Sequence, residues 1–165
     1  MNVFSLPIEI RHTAIESGGE VVWAMRLQAS PSHIAKILKL YVNVSFDGSA
    51  ATSTSAWQVE KFNTAAYTGG TAITVAKKEE AQPATDVTDA RFLDTGLTVG
   101  SAAVLAVYAH IGIPRSATAQ AVPFILTNFA NLQPGEGIQI SVDNATVIGD
   151  GLTGYIEWQE DGFNF

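Results

Sequence analysis

The sequence predicts an all-β fold, an antiparallel two-sheet sandwich of jelly-roll type. Three observations predict it. Apolar residues recur at every second position through most of the chain. Turn signals built on Gly, Pro, Asn and Asp interrupt that alternation at sandwich-like spacing. No stretch carries a convincing long helical period or a strand–helix–strand rhythm. At 165 residues the chain is long enough for one domain with its own core. Residues 1–165 are therefore read as a single sandwich with a short tail at 161–165.

Taken in order, "IEIRHTAI" and "EVVWAMRLQ" flank "ESGG", and the Gly18-Gly19 pair predicts a hairpin. Val21, Trp23, Met25 and Leu27 are expected to face the core together. In "IAKILKLYVNVSF" the alternation sets Ile34, Lys36, Leu38, Leu40, Val42, Val44 and Phe46 on one face. Ile34, Ile37, Leu38 and Tyr41 also fit helical spacing, but the β-branched second half decides for strand. "DGSAATSTS" reads as a loop. "AWQVEKF" is expected to pair with "TAITVAKK" through a turn at Gly69-Gly70, with Trp57, Val59, Ile73 and Val75 feeding the core.

The charged, Pro-containing segment Lys77–Asp89 reads as a surface loop. "ARFLDTG", "AAVLAVYAHIGI" and "AVPFILTNFANL" read as further strands, and "QPGEG" as a turn. "GIQISVDNAT" alternates with Ile138, Ile140 and Val142 inward and Gln139, Ser141 and Asp143 outward. In "LTGYIEWQE", Ile156 and Trp158 oppose Tyr155 and Glu157.

Composition narrows the function. Charged residues make up 15% of the chain, below the roughly 25% of an average soluble protein. A chain so poorly charged suits a subunit whose surface neighbours partly cover. Its formal net charge is -7, and its nine Lys and Arg residues are scattered. Binding to phosphate backbones needs clustered cations, so no nucleic-acid partner is expected. The absence of cysteine removes disulfide and thiolate chemistry. No signal-like or membrane-spanning apolar stretch is evident, and synthesis in a cytoplasm is expected.

Chemistry is sparse. His12, His33 and His110 lack zinc-site spacing and read as ordinary polar or packed side chains. Ser49 and Ser101 each follow a Gly without completing a nucleophile elbow. "YTGGTAIT" lacks a phosphate-binding lysine and a following helix. Asp143, Asn144 and Asp150 lie near one another without calcium-loop spacing and read as turn carboxylates. Asn43 and Asn144 head N-x-S/T triplets, which mean little without a secretory signal. Glu79-Glu80 and Glu160-Asp161 are expected to be solvated surface charge. No cofactor, metal or catalytic constellation is predicted, and the chain is read as a non-enzyme. Phe163 and Phe165 would expose apolar area in a free tail, so they are expected to fold back or to dock on another chain.

Certain segments also resemble a known group. Gln58-Val59-Glu60-Lys61-Phe62, Thr64-Ala65, Gly69-Gly70-Thr71-Ala72 and the acidic loop after Lys77 resemble small phage and prophage virion proteins of jelly-roll type. The Pro134-Gly135-Glu136-Gly137 turn and the final Gly154–Glu160 strand resemble them as well. Taken as the spans 58–89 and 132–160, these segments cover somewhat over a third of the chain. The resemblance implies a capsid decoration or cement-like subunit located in the virion. Its partners would be its own copies, as a homotrimer, and a major capsid or other virion protein. The alternative is a head-fibre or tail-associated module binding carbohydrate or a receptor, for which Tyr67, Tyr108 or Tyr155 would stand outward and clustered.

Overall fold

The computed structural model describes residues 2–11, 21–28, 33–45, 54–63, 67–77, 85–92, 98–99, 103–114, 121–142 and 151–162. Every regular element among them is a strand. In chain order these are β1 (Asn2–Arg11), β2 (Val21–Leu27), β3 (His33–Ser45), β4 (Thr54–Asn63), β5 (Tyr67–Thr68), β6 (Thr71–Ala72) and β7 (Ala76–Lys77). They continue as β8 (Val87–Phe92), β9 (Thr98–Val99), β10 (Ala103–Pro114), β11 (Ala121–Leu132), β12 (Glu136–Val142) and β13 (Gly151–Gly162).

Two antiparallel sheets form a sandwich. One has the order β11-β3-β13-β1-β7 and the other β10-β4-β12-β2-β8-β6, while β5 and β9 pair apart from both. From β1 to β4 the chain alternates between the two sheets. β4 and β10 are neighbours in one sheet, after which β11, β12 and β13 alternate again. The sequence expectation of an all-β sandwich is met.

The core forms where the alternating apolar positions of the two sheets meet. Phe4, Leu6, Ile8, Leu40, Val42, Leu152, Ile156 and Trp158 enter from the five-stranded sheet. Trp23, Met25, Leu27, Trp57, Val59, Ile138 and Ile140 enter from the other, all buried. Phe4 and Trp158 face each other across the β1–β13 ladder, their rings stacked at 5.8 Å. Such a pair contributes about 0.5–1.5 kcal/mol beyond its buried area. All three tryptophans are fully buried, as their alternation predicts. Ile73 and Val75 pack only partly buried against this core.

Several expectations are corrected. The strands flanking Gly18-Gly19 do not form a hairpin. β1 pairs with β13 and β7, whereas β2 lies in the opposite sheet between β12 and β8. β4 does not pair with the segment after Gly70, because both of its edges are occupied by β10 and β12. That segment instead divides, β6 joining β8 in one sheet and β7 joining β1 in the other. The loop expected to end at Asp89 gives way to β8 at Val87, and Val87 and Ala90 belong to the core.

The phase of β3 is also corrected. Leu40, Val42 and Val44 point inward as expected, but upstream Ala35 and Ile37 are buried and Lys36 is exposed. Leu38 is an extra residue against β13, where Glu157 pairs with Lys39 and Trp158 with Ile37. One inserted residue inverts the inward set, since side chains alternate with a period of two.

Two turns follow their residues. In Gln133–Glu136, Gly135 has φ 78° after Pro134, and the Glu136 N–H donates to the Gln133 carbonyl at 2.9 Å. Pro followed by a left-handed Gly is the type II signature. Gly69 and Gly70 also take positive φ, 73° and 65°, conformations that cost a residue without Cβ little.

Candidate functional site

The described surface offers three features that could meet a partner or ligand, and the buried polar groups account for two further clusters. The first surface feature is the edge strand β10, which among the described residues pairs only with β4. Val104, Leu105 and Val107 on it are 50%, 49% and 45% exposed. The β10–β4 ladder is irregular between Val104 and Ala106 and between Val107 and Ala109. Val104 and Val107 pair with Phe62 and Glu60 and so share the outer face of the six-stranded sheet. Alternation across a buried strand leaves the other face polar; here it leaves an apolar strip on an open edge.

The second feature is a cleft of about 400 Å³ between β10 and β11, lined by Lys36, Lys61, Tyr108, Asn128, Phe129 and Asn131. Its shape comes from an irregularity in β11. Thr127 pairs with Lys39 and Ala130 with Ile37, so Asn128 and Phe129 together oppose Leu38. Asn128 takes φ 49°, a left-handed conformation that Asn tolerates better than most residues. Phe129 meets Tyr108 edge-to-face, centroids 5.2 Å apart. Lys61 is held in the floor, its ammonium 2.6 Å from Glu136 and donating to the Asn131 carbonyl at 3.0 Å. Lys36 is exposed, and no hydrogen bond or ion pair to it is found among the described residues.

The third feature lies on the outer face of the five-stranded sheet. Ile125, Tyr41, Tyr155 and Pro7 stand in one cross-strand row over β11, β3, β13 and β1. The tyrosine rings stack at 5.6 Å, and the Lys39 ammonium lies 5.8 Å and 5.2 Å from their centroids. Lys39 donates to the Tyr155 hydroxyl at 2.8 Å. That hydrogen bond is the main reason its pKa is raised above the ordinary 10.5, against an opposing effect of desolvation. The Tyr41 hydroxyl donates to the Asn43 side-chain oxygen at 3.1 Å, which ties the N-V-S asparagine into this cluster.

Three carboxylates are buried among the described residues, Glu60, Asp86 and Glu160, and that of Asp86 accepts from the Gln28 side-chain amide at 2.5 Å. Glu160, expected to be solvated at a chain end, is 2% exposed within β13. It accepts hydrogen bonds from the Asp86 N–H at 3.1 and 3.0 Å, from the Trp158 indole at 2.9 Å and from the Thr85 hydroxyl. Gln28 and Asp86 also bond backbone to backbone at 3.0 Å. The group therefore ties the entry of β8 to the opposite sheet. Glu60 accepts from Gln139 at 2.8 Å and Ser141 at 2.9 Å. All three are buried, so Gln139 and Ser141 face away from the core without facing solvent. These are structural contacts, each carboxylate satisfied by neutral donors. Their burial left no trace in the alternation, which marks only the inward-facing apolar set.

The other residues weighed from sequence are dispersed. His110 lies exposed on β10 and His33 opens β3. Tyr67 lies in β5, while Tyr108 is in the cleft and Tyr155 in the Lys39 cluster, so Tyr108 and Tyr155 do not share a site. His12, Ser49, Glu79, Glu80, Ser101, Asp143, Asn144, Asp150, Phe163 and Phe165 lie outside the described residues. Among the described residues, no group of three His, Cys, Asp or Glu side chains gathers where a metal ion could be held.

Fold and surface together define an all-β sandwich with two long open edges and no converging set of reactive groups among its described residues. No protein-family model, curated protein or solved structure matches the chain.

Proposed function

We propose that this chain is a structural subunit of a phage virion, a capsid decoration or cement-like protein that works by association. Copies join as a homotrimer, and the assembly sits on a shell of major capsid protein. No turnover is involved. The observation that carries this reading is the apolar strip on β10, where three large side chains stand about half exposed on an open strand. Long apolar edges are association hazards unless something covers them, and a symmetric oligomer covers them at each copy. The strand order supports the jelly-roll reading. Leaving aside the short strands, four strands per sheet follow β11-β3-β13-β1 and β10-β4-β12-β2, the arrangement of two interleaved Greek keys.

Light scattering on the purified protein at micromolar concentration tests the association. The expected mass is three times 17.5 kDa, and Val104→Asp with Val107→Asp should return it to the monomer while the fold is kept. A wild-type monomer would overturn the reading. Addition of the protein to shells lacking it tests the location, uniform decoration being the expected result.

A further inference from the structure

We propose that the cleft between β10 and β11 is a binding site for a saccharide bearing a carboxylate. The site is separate from the apolar strip, since Val104 and Val107 stand on the outer sheet face whereas the cleft opens between the sheet edges. Its volume of about 400 Å³ falls within the roughly 300–1,000 Å³ of small-molecule sites.

The lining has the chemistry of sugar recognition. Asn128 and Asn131 present amides that both donate and accept, as paired hydroxyls require. Tyr108 and Phe129, half-buried against the core and set edge-to-face, add aromatic surface to the cleft wall for the apolar side of a pyranose. Asn128 is the only non-glycine residue with positive φ among those described. A residue in left-handed backbone at a strand irregularity breaks the alternation of side chains, and Asn128 is among the residues that line the cleft.

Charge selects the acidic sugar. Lys61 is already neutralised by Glu136, which leaves Lys36 as an exposed cation without a partner among the described residues. In a chain of net charge -7, the single Lys36 ammonium beside two asparagines fits one carboxylate rather than a polyanion. A charge-assisted hydrogen bond is about twice as strong as a neutral one.

Calorimetric titration of the intact protein with sialyllactose, trigalacturonate and lactose tests the site. At least one acidic probe should bind, about tenfold more tightly than lactose, a difference of about 1.4 kcal/mol. Lys36→Met should erase that preference. Asn128→Gly keeps the left-handed backbone and removes the amide, so it should weaken binding with thermal unfolding unchanged. The variant Val104→Asp with Val107→Asp should bind as the wild type does, which separates this site from assembly. Binding of neither acidic probe in preference to lactose overturns the proposal, as does a Lys36→Met protein that keeps the preference.

Discussion

Glu160 shows how much one residue can hold. Its carboxylate accepts from the Asp86 backbone, the Thr85 hydroxyl and the Trp158 indole, and so joins the end of one sheet to the entry of a strand in the other. In Glu160→Gln one of the two acceptors becomes an NH₂ facing donors. An unsatisfied buried group costs about 1–3 kcal/mol, so the urea midpoint should fall by a corresponding amount with the slope unchanged. Gly137 is constrained differently, since a Cβ there would lie 2.2 Å from the Met25 carbonyl and 2.5 Å from the Phe62 ring. Overpacking of this kind costs about 1–3 kcal/mol, and Gly137→Ala should lose that much in the same assay. Leu40, fully buried, sets the upper end. Leu40→Asp adds a buried unpaired carboxylate to the lost apolar burial and should abolish the far-ultraviolet β signal at room temperature. Lys39 makes the opposite case. Because its pKa is raised in the fold, whatever it contributes is complete below the ordinary 10.5 and fades only as pH climbs through the raised value. Lys39→Met should therefore leave the pH dependence of stability between about pH 6 and about pH 9 unchanged.

At the scale of elements, alternation made most strands legible but not their phase. In β3 the inward set downstream of the bulge, Leu40, Val42 and Val44, is where a period of two puts it, while the upstream set is inverted by Leu38. Nothing in "IAKILKLYV" marks the inserted residue, because Ile34, Ile37 and Leu38 supply apolar side chains for either phase. The matching irregularity in β11 was equally silent, and with it the cleft, since Asn128 and Asn131 read as ordinary strand-face residues. The turn at Pro134-Gly135 was legible because left-handed backbone demands glycine. At Asn128 that demand is met by asparagine, and the signal disappears. Replacing Asn128 with Val should expose the strain directly. A β-branched residue held at φ 49° costs about 1–2 kcal/mol, a loss that Asn128→Gly should not show when both are unfolded in urea.

Across the whole molecule, the sandwich was legible and its wiring was not. Gly18-Gly19 and Gly69-Gly70 were read as hairpin tips because sequence-adjacent strands usually pair. Here neither pair of flanking strands does. A chain that alternates between two sheets takes its partners from distant positions, as when β1 runs its whole length along β13. That wiring spaces the long strands so that β10 and β11 each end a sheet, and it is these two edges that carry the β10 strip and the cleft. The proposed assembly makes one further demand, on Phe163 and Phe165, which follow β13 directly in sequence. β13 ends at Gly162, opposite His33 at the start of β3. If they dock on a neighbour, a chain ending at Gly162 should keep its thermal unfolding and its strand content but show a weaker oligomer in sedimentation and less protein retained on shells. If they pack on their own sandwich instead, the same truncation should lower the unfolding temperature and leave the oligomer as it was. Loss of neither property would remove the tail from the assembly altogether and leave the β10 strip as the proposed contact between copies.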